Sequence, residues 1–125
     1  MDERERYDTG MKVRRAVLGD AHVDAALAKR NDLTEAFQDL ITRYAWGEIW
    51  SRPGLARQTR SLITVAMLVA LNREEELQMH LRAALKNGVS QEEIRETLLQ
   101  TAIYCGVPAA NSAFRIAQQV FSENA

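Results

Sequence analysis

Glu76 and His80 stand four residues apart, and a carboxylate and an imidazole at that spacing can hold and move a proton. On a helix the two lie within about 40° of arc, with Asn87 between them on the wheel. Glu76 can then fix one ring nitrogen and raise the proton affinity of His80, while the other nitrogen exchanges a proton with a substrate. Leu77, Leu81, Ala84 and Leu85 flank this strip on one side and Met79 and Ala83 on the other, which suggests a groove. The same spacing also occurs on exposed helices as a surface pair worth roughly 0.2–0.5 kcal/mol, so catalysis and plain helix pairing both stay open. His22 lies in a second helical stretch, where a lone histidine is more often structural, and it is a secondary candidate for lining a site. Trp46 and Trp50 fill core or wall a pocket, with packing the plainer reading. Cys105 precedes Gly106 with no base near it in sequence and reads as a small buried residue. With no His-Glu-x-x-His, no third ligand cluster and no glycine-rich phosphate loop, no metal site is expected.

The elements that must position these residues are all helical. Leu62 to Leu71 is apolar almost all round and reads as a buried central helix, starting at Leu55 or Ala56. Asn72 separates it from the Glu76–His80 helix, which stops at Asn87-Gly88. Ser90 and Glu93 form a capping box for a helix that runs to about Tyr104. After Cys105-Gly106-Val107, Pro108 opens a last helix to about Phe121. Upstream, a helix from Glu3 to Leu18 stops at Gly19, and a short one follows from Ala21 to Lys29. Asn31 and Asp32 cap a further helix with Leu33, Phe37, Leu40, Ile41 and Tyr44 at helical spacing. It ends at the Ser51-Arg52-Pro53-Gly54 turn. No segment alternates as a strand does. The expectation is an all-α fold, one compact domain over residues 1–125 with five to seven helices.

The 125 residues carry a net charge of −1, which leaves no electrostatic footprint for nucleic acid or an anionic membrane. Ala84, Gly88 and Ile94 match helix-turn-helix spacing, but the recognition position reads Gln91-Glu92-Glu93-Ile94-Arg95-Glu96, and carboxylates repel phosphates. Most of the charges between Asp2 and Arg15 read as a solvated face or as subunit contacts. The longest apolar run is near ten residues, short of the ~20 that a membrane span needs. A charged N-terminus without an apolar run and a single cysteine point to the reducing cytoplasm.

Several strings keep their mutual spacing across nearly the whole chain. They are Trp46-Gly47-x-x-Trp50-x-Arg52-Pro53-Gly54-Leu55, Thr59-Arg60-Ser61-Leu62, Glu76-x-x-x-His80 with Gly88, Glu93-Ile94-Arg95-Glu96 and Tyr104-x-Gly106-Val107-Pro108-Ala109-Ala110-Asn111. With the early Arg14-Arg15-Ala16-Val17-Leu18-Gly19-Asp20-Ala21-His22-Val23, they resemble the carboxymuconolactone decarboxylase family of the alkylhydroperoxidase D-like superfamily. The resemblance implies an all-helical fold, a homo-oligomer (trimer or hexamer), and a lactone substrate that loses carbon dioxide without a cofactor. For that reaction the residues of this chain offer roles: His80 as proton donor, Glu76 as its orienting partner, and Arg60 or Arg57 as anchor of the substrate's second carboxylate. Trp46, Trp50 and Tyr104 could supply dry walls or pack the core, and His22 is a further candidate for lining the site. The peroxidase branch carries Cys-x-x-Cys-x-x-x-His, and its two thiol positions are Arg73 and Glu76 here. A thiol-dependent peroxidase and a non-catalytic ligand-binding assembly remain the alternatives.

Overall fold

Asp2 starts the first helix in the manner its side chain allows: the carboxylate accepts the Glu5 amide at 2.8 Å, and Glu3 and Glu5 sit in the favourable first turn. In the computed structural model, which describes residues 1–123, the chain divides into two compact units, Met1–Ala56 and Arg57–Ala125. The described residues are helical with no strand, as the all-α reading expects. Among the described residues, no helix is long and apolar enough to cross a membrane.

The first unit holds α1 (Glu3–Leu18), α2 (Asp20–Ala28) and α3 (Glu35–Leu40). α3 runs straight on into a π-helix, Ile41–Ile49. The sequence reads 31–50 as one regular helix, and the change of winding is the main departure in this unit. Hydroxyls stand at both ends of it. The Thr42 Oγ1 donates to the Gln38 carbonyl at 2.8 Å, and the Ser51 Oγ donates to the Gly47 carbonyl at 2.7 Å. Each takes a carbonyl four residues back, the acceptor that a regular turn would use, and so favours a looser register. The wider turn also shifts the phase of the side chains. Thr42, Trp46 and Gly47 turn inward, while Leu33, Phe37, Leu40 and Tyr44 are exposed. Most of the expected apolar stripe is exposed, and because Leu33, Phe37 and Leu40 precede the π segment, its winding accounts only for Tyr44.

The second unit holds α4 (Arg57–Ala70), α5 (Glu74–Lys86), α6 (Gln91–Tyr104) and α7 (Val107–Ser122). Val65, Leu81, Ile94, Leu98 and Val120 are sealed at its centre, with Ala84, Ala113 and Ala117 letting the helices approach. α4 is not buried all round. Val65 and Val69 face the core, but Ile63, Met67 and Leu71 are exposed, because α5, α6 and α7 cover only one side of it. Asn72 takes a φ of +57° after α4, a left-handed conformation that asparagine tolerates, and this frees α5 to set off in a new direction. The Ser90–Glu93 capping box forms as expected: Ser90 Oγ accepts the Glu93 amide at 3.0 Å, and Glu93 Oε1 accepts the Ser90 amide at 2.9 Å. Ser90→Ala is expected to cost about 1 kcal/mol in urea unfolding, with Ser90→Asp close to wild type.

Candidate functional site

Three glutamates, Glu74 to Glu76, occupy the first turn of α5, where the helix dipole favours negative charge. Glu74 is drawn to Arg115 of α7 at 3.1 Å. Glu76 is exposed and enters no ion pair among the described residues. His80, one turn further along, is half-buried, and its Nδ1 is closed off from solvent. The structure thus places the two residues on one helix face with the imidazole as the more enclosed member. The expected groove is not formed by the flank of that face: Leu77, Leu81 and Ala84 turn into the core. An amphipathic helix buries its apolar stripe wherever its neighbours lie, and here these are α4 and α7.

Arg57 and Arg60 lie in the first turn of α4, Arg57 exposed and Arg60 half-buried with its Nε enclosed. Tyr104 ends α6 and is 83% exposed. It lines a hollow of about 310 Å³ with Leu62, Ile63, Thr101 and Cys105. Cys105 is therefore exposed and not the buried small residue that its neighbours in sequence suggest. It is the C-cap of α6, and helix ends come to the surface. Within a single chain, Tyr104 cannot exclude water from anything.

In the first unit, Trp46 is buried and Trp50 half-buried, with ring centroids 4.9 Å apart and planes tilted by 33°. Such a contact is one that tilted aromatic pairs favour, and it fits the packing reading. His22 is exposed on α2 at the edge of a cavity of about 340 Å³. Partial desolvation lowers its pKa below the ordinary imidazole range, and the positive charge of Arg14 adds to the effect.

Arg14 is the residue that the sequence reading misplaces. Counted there among solvated charges, it is only 4% exposed. Its Nη1 donates to Thr42 Oγ1 at 3.2 Å and its Nη2 to Gln38 Oε1 at 3.0 Å, while its buried Nε has no partner among the described residues. Both partners are neutral. Burial pulls its pKa down; Tyr7 opposes that shift, and Arg15 adds to it. The nearby acids are drawn elsewhere, since Arg15 holds Asp20 at 3.2 Å and Asp24 at 2.9 Å. Burying a guanidinium without a carboxylate costs on the order of several kcal/mol. The signal was periodicity: Gly10, Val13, Arg14 and Val17 form the buried stripe of α1, and Arg14 is its one charged member.

The model of the family described as "Carboxymuconolactone decarboxylase family" matches residues 35–119. The chain is also 50% identical over 123 residues to the 4-carboxymuconolactone decarboxylase of Acinetobacter baylyi, covering 98% of this chain and 92% of that protein. The chain belongs to the carboxymuconolactone decarboxylase family. A second family relative, the nitrosuccinic acid decarboxylase npaB of Metarhizium robertsii, is 42% identical over 96% of this chain and 84% of its own length. A 4-carboxymuconolactone decarboxylase sequence from Pseudomonas putida is 65% identical over 48 residues, all of that sequence and 38% of this chain. The strings Trp46 to Leu55 and Glu76 to His80 both fall inside the family match, while Arg14 and His22 lie before it.

Proposed function

We propose that this chain catalyses the cofactor-independent decarboxylation of 4-carboxymuconolactone to 3-oxoadipate enol-lactone and carbon dioxide, a step in protocatechuate degradation. The observation that carries this reading is the near-full-length similarity to the Acinetobacter enzyme. The name of the fungal relative supports the reaction class, since it too is a decarboxylase of a carboxylic acid. In the reaction, the carbon–carbon bond to the departing carboxylate breaks and its electron pair enters the conjugated lactone as a dienolate. A ring carbon then takes up one proton. The substrate is its own electron sink, so the scheme calls for no pyridoxal, thiamine or metal. Ultraviolet monitoring of 4-carboxymuconolactone with purified protein tests the reading. Loss no faster than the spontaneous background would overturn the substrate assignment.

In this scheme His80 delivers the proton, and its enclosed Nδ1 makes Nε2 the nitrogen that does so. Glu76, one turn back on the same face, is assigned the orientation of the ring. Arg60, or Arg57 beside it, holds the carboxymethyl arm by a bidentate contact. Placing that arginine on the leaving carboxylate would stabilise the ground state and slow the step, so the arm is the better partner.

We further infer that the working form is a trimer or hexamer of this chain in the cytoplasm. Exposed apolar side chains support it: Ile63, Met67 and Leu71 on α4, Ile103 and Tyr104 on α6, and Phe37 and Leu40 on α3. A neighbouring copy over α6 would also shield Tyr104 from water. Light scattering on the eluted protein checks this, and the mass of a single chain would refute it. The thiol-peroxidase alternative predicts that Cys105→Ser abolishes activity; the decarboxylase reading expects turnover within about twofold of wild type, because no step uses sulfur.

A further inference from the structure

We propose that the cavity lined by His22, Ala25, Ala26, Lys29, Thr34 and Gln38 is a binding site for a small carboxylate, with Arg14 and Lys29 supplying the positive charge. The site lies wholly in the first unit, and the proposal stands whether or not the decarboxylase reading does. It begins from an imbalance. A guanidinium buried this fully is ordinarily met by a carboxylate, and here it meets a hydroxyl and an amide. Asp20 and Asp24 are bonded to Arg15, Glu3 and Glu48 to Arg6, and Asp39 on α3 faces Arg30 at 3.8 Å. Among the described residues the Arg14 guanidinium therefore has no acidic partner.

Gln38 links that charge to the cavity. It lines the cavity and also accepts from Arg14 through Oε1, which turns its Nε2 donors away from the guanidinium. The amide then works as a relay: polarised by Arg14 behind it, it offers a strengthened donor in front. Lys29, at the end of α2, adds a second cation at the wall, and the two alanines give methylene groups an apolar surface. Thr34 is turned to Asn31 through its hydroxyl and contributes shape more than bonding. A cavity of about 340 Å³ has room for a short aliphatic mono- or dicarboxylate. The junction of α3 with the π-helix holds this arrangement in place, because Thr42, the first acceptor from Arg14, sits inside the π segment.

The charged groups on the elements around His22 are Arg14 and Arg15 on α1, Asp20, Asp24 and Lys29 on or just after α2, and Glu35 and Asp39 on α3. An anion seated in the cavity offsets Arg14 and Lys29, so it should raise the His22 pKa. Succinate is the probe. Titrating the protein with sodium succinate, against sodium chloride of equal ionic strength, should give saturable binding by calorimetry and an upward shift of the His22 pKa by NMR. Lys29→Gln should weaken succinate by several-fold and Arg14→Gln by about tenfold or more. Lys29 is exposed, so its variant keeps the test valid if Arg14→Gln does not fold. Binding no different from chloride, or equal in wild type and Lys29→Gln with the His22 pKa unmoved, overturns the proposal. Two sources of the carboxylate are then separable. If it belongs to the substrate, Lys29→Gln raises KM for 4-carboxymuconolactone while kcat holds, and succinate competes with that substrate. If it belongs to a separate ligand, succinate binds without competing and KM stays at its wild-type value.

Discussion

His80→Ala is expected to lower turnover of 4-carboxymuconolactone by about 100-fold or more, with little change in KM. Once carbon dioxide has left, the dienolate is held back only by its need for a proton at carbon. Bulk water at neutral pH is a poor donor, and a positioned imidazolium is a good one. The loss should fall on kcat because the imidazole acts on an intermediate and not on substrate binding. A half-buried side chain on α5 also packs, so alanine alone can be misread as a folding defect. His80→Gln, which keeps volume and polarity but carries no titrating proton, should show the same loss with an unchanged far-ultraviolet circular dichroism spectrum. Glu76→Gln should instead cost less in rate, since the exposed carboxylate works only by orienting the ring. Full turnover in both His80 variants would remove the residue from the chemistry and shift attention to Arg60.

What could be read from the sequence depends on how local its cause is. Capping and stopping are decided within four residues, so the Ser90–Glu93 box, the stop at Gly88 and the break at Asn72 were legible from composition alone. The helices α1, α5, α6 and α7 likewise begin and end within a residue or two of their expected places. Burial is not local. The α4 helix looks the same from sequence whether its outer face meets core, a second copy or water, and in the chain itself Ile63, Met67 and Leu71 meet water. The π-helix was invisible for a different reason. Thr42 and Ser51 have ordinary helix-surface identities, and only their bonds to the Gln38 and Gly47 carbonyls reveal the altered register. Arg14 lies between these cases. Its place on the Gly10–Val17 stripe was available as periodicity, but its charge outweighed its position in the reading. For the candidate site, Glu76 and His80 share a helix because spacing dictates it, whereas the enclosure of the Nδ1 of His80 needs the fold.

The second large effect is expected at Gly10, in the middle of α1. A glycine inside a helix normally weakens it, and alanine there should stabilise by up to about 1 kcal/mol. Gly10→Ala should do the opposite and destabilise by roughly 2–3 kcal/mol in urea unfolding. A Cβ at Gly10 would overlap the Thr42 carbonyl oxygen and crowd the Gly47 amide at 2.9 Å, and both are backbone atoms that cannot rotate aside. Gly47 meets α1 in the same way from the other side, since its own Cβ would overlap the Arg6 carbonyl. The two glycines therefore set the distance between α1 and the π-helix, and a methyl group at either must push the helices apart. Separation would loosen the Arg14–Thr42 bond and uncover Trp46, so the Trp fluorescence should shift to the red along with the lost stability. Gly54→Ala is the matched control. It has no heavy atom within 4 Å of the added carbon, so it should be neutral or gain about 0.4–1 kcal/mol through the unfolded chain. A stabilising Gly10→Ala would mean that helix propensity outweighs contact, and that the close approach of α1 to the π-helix is not what holds this unit together.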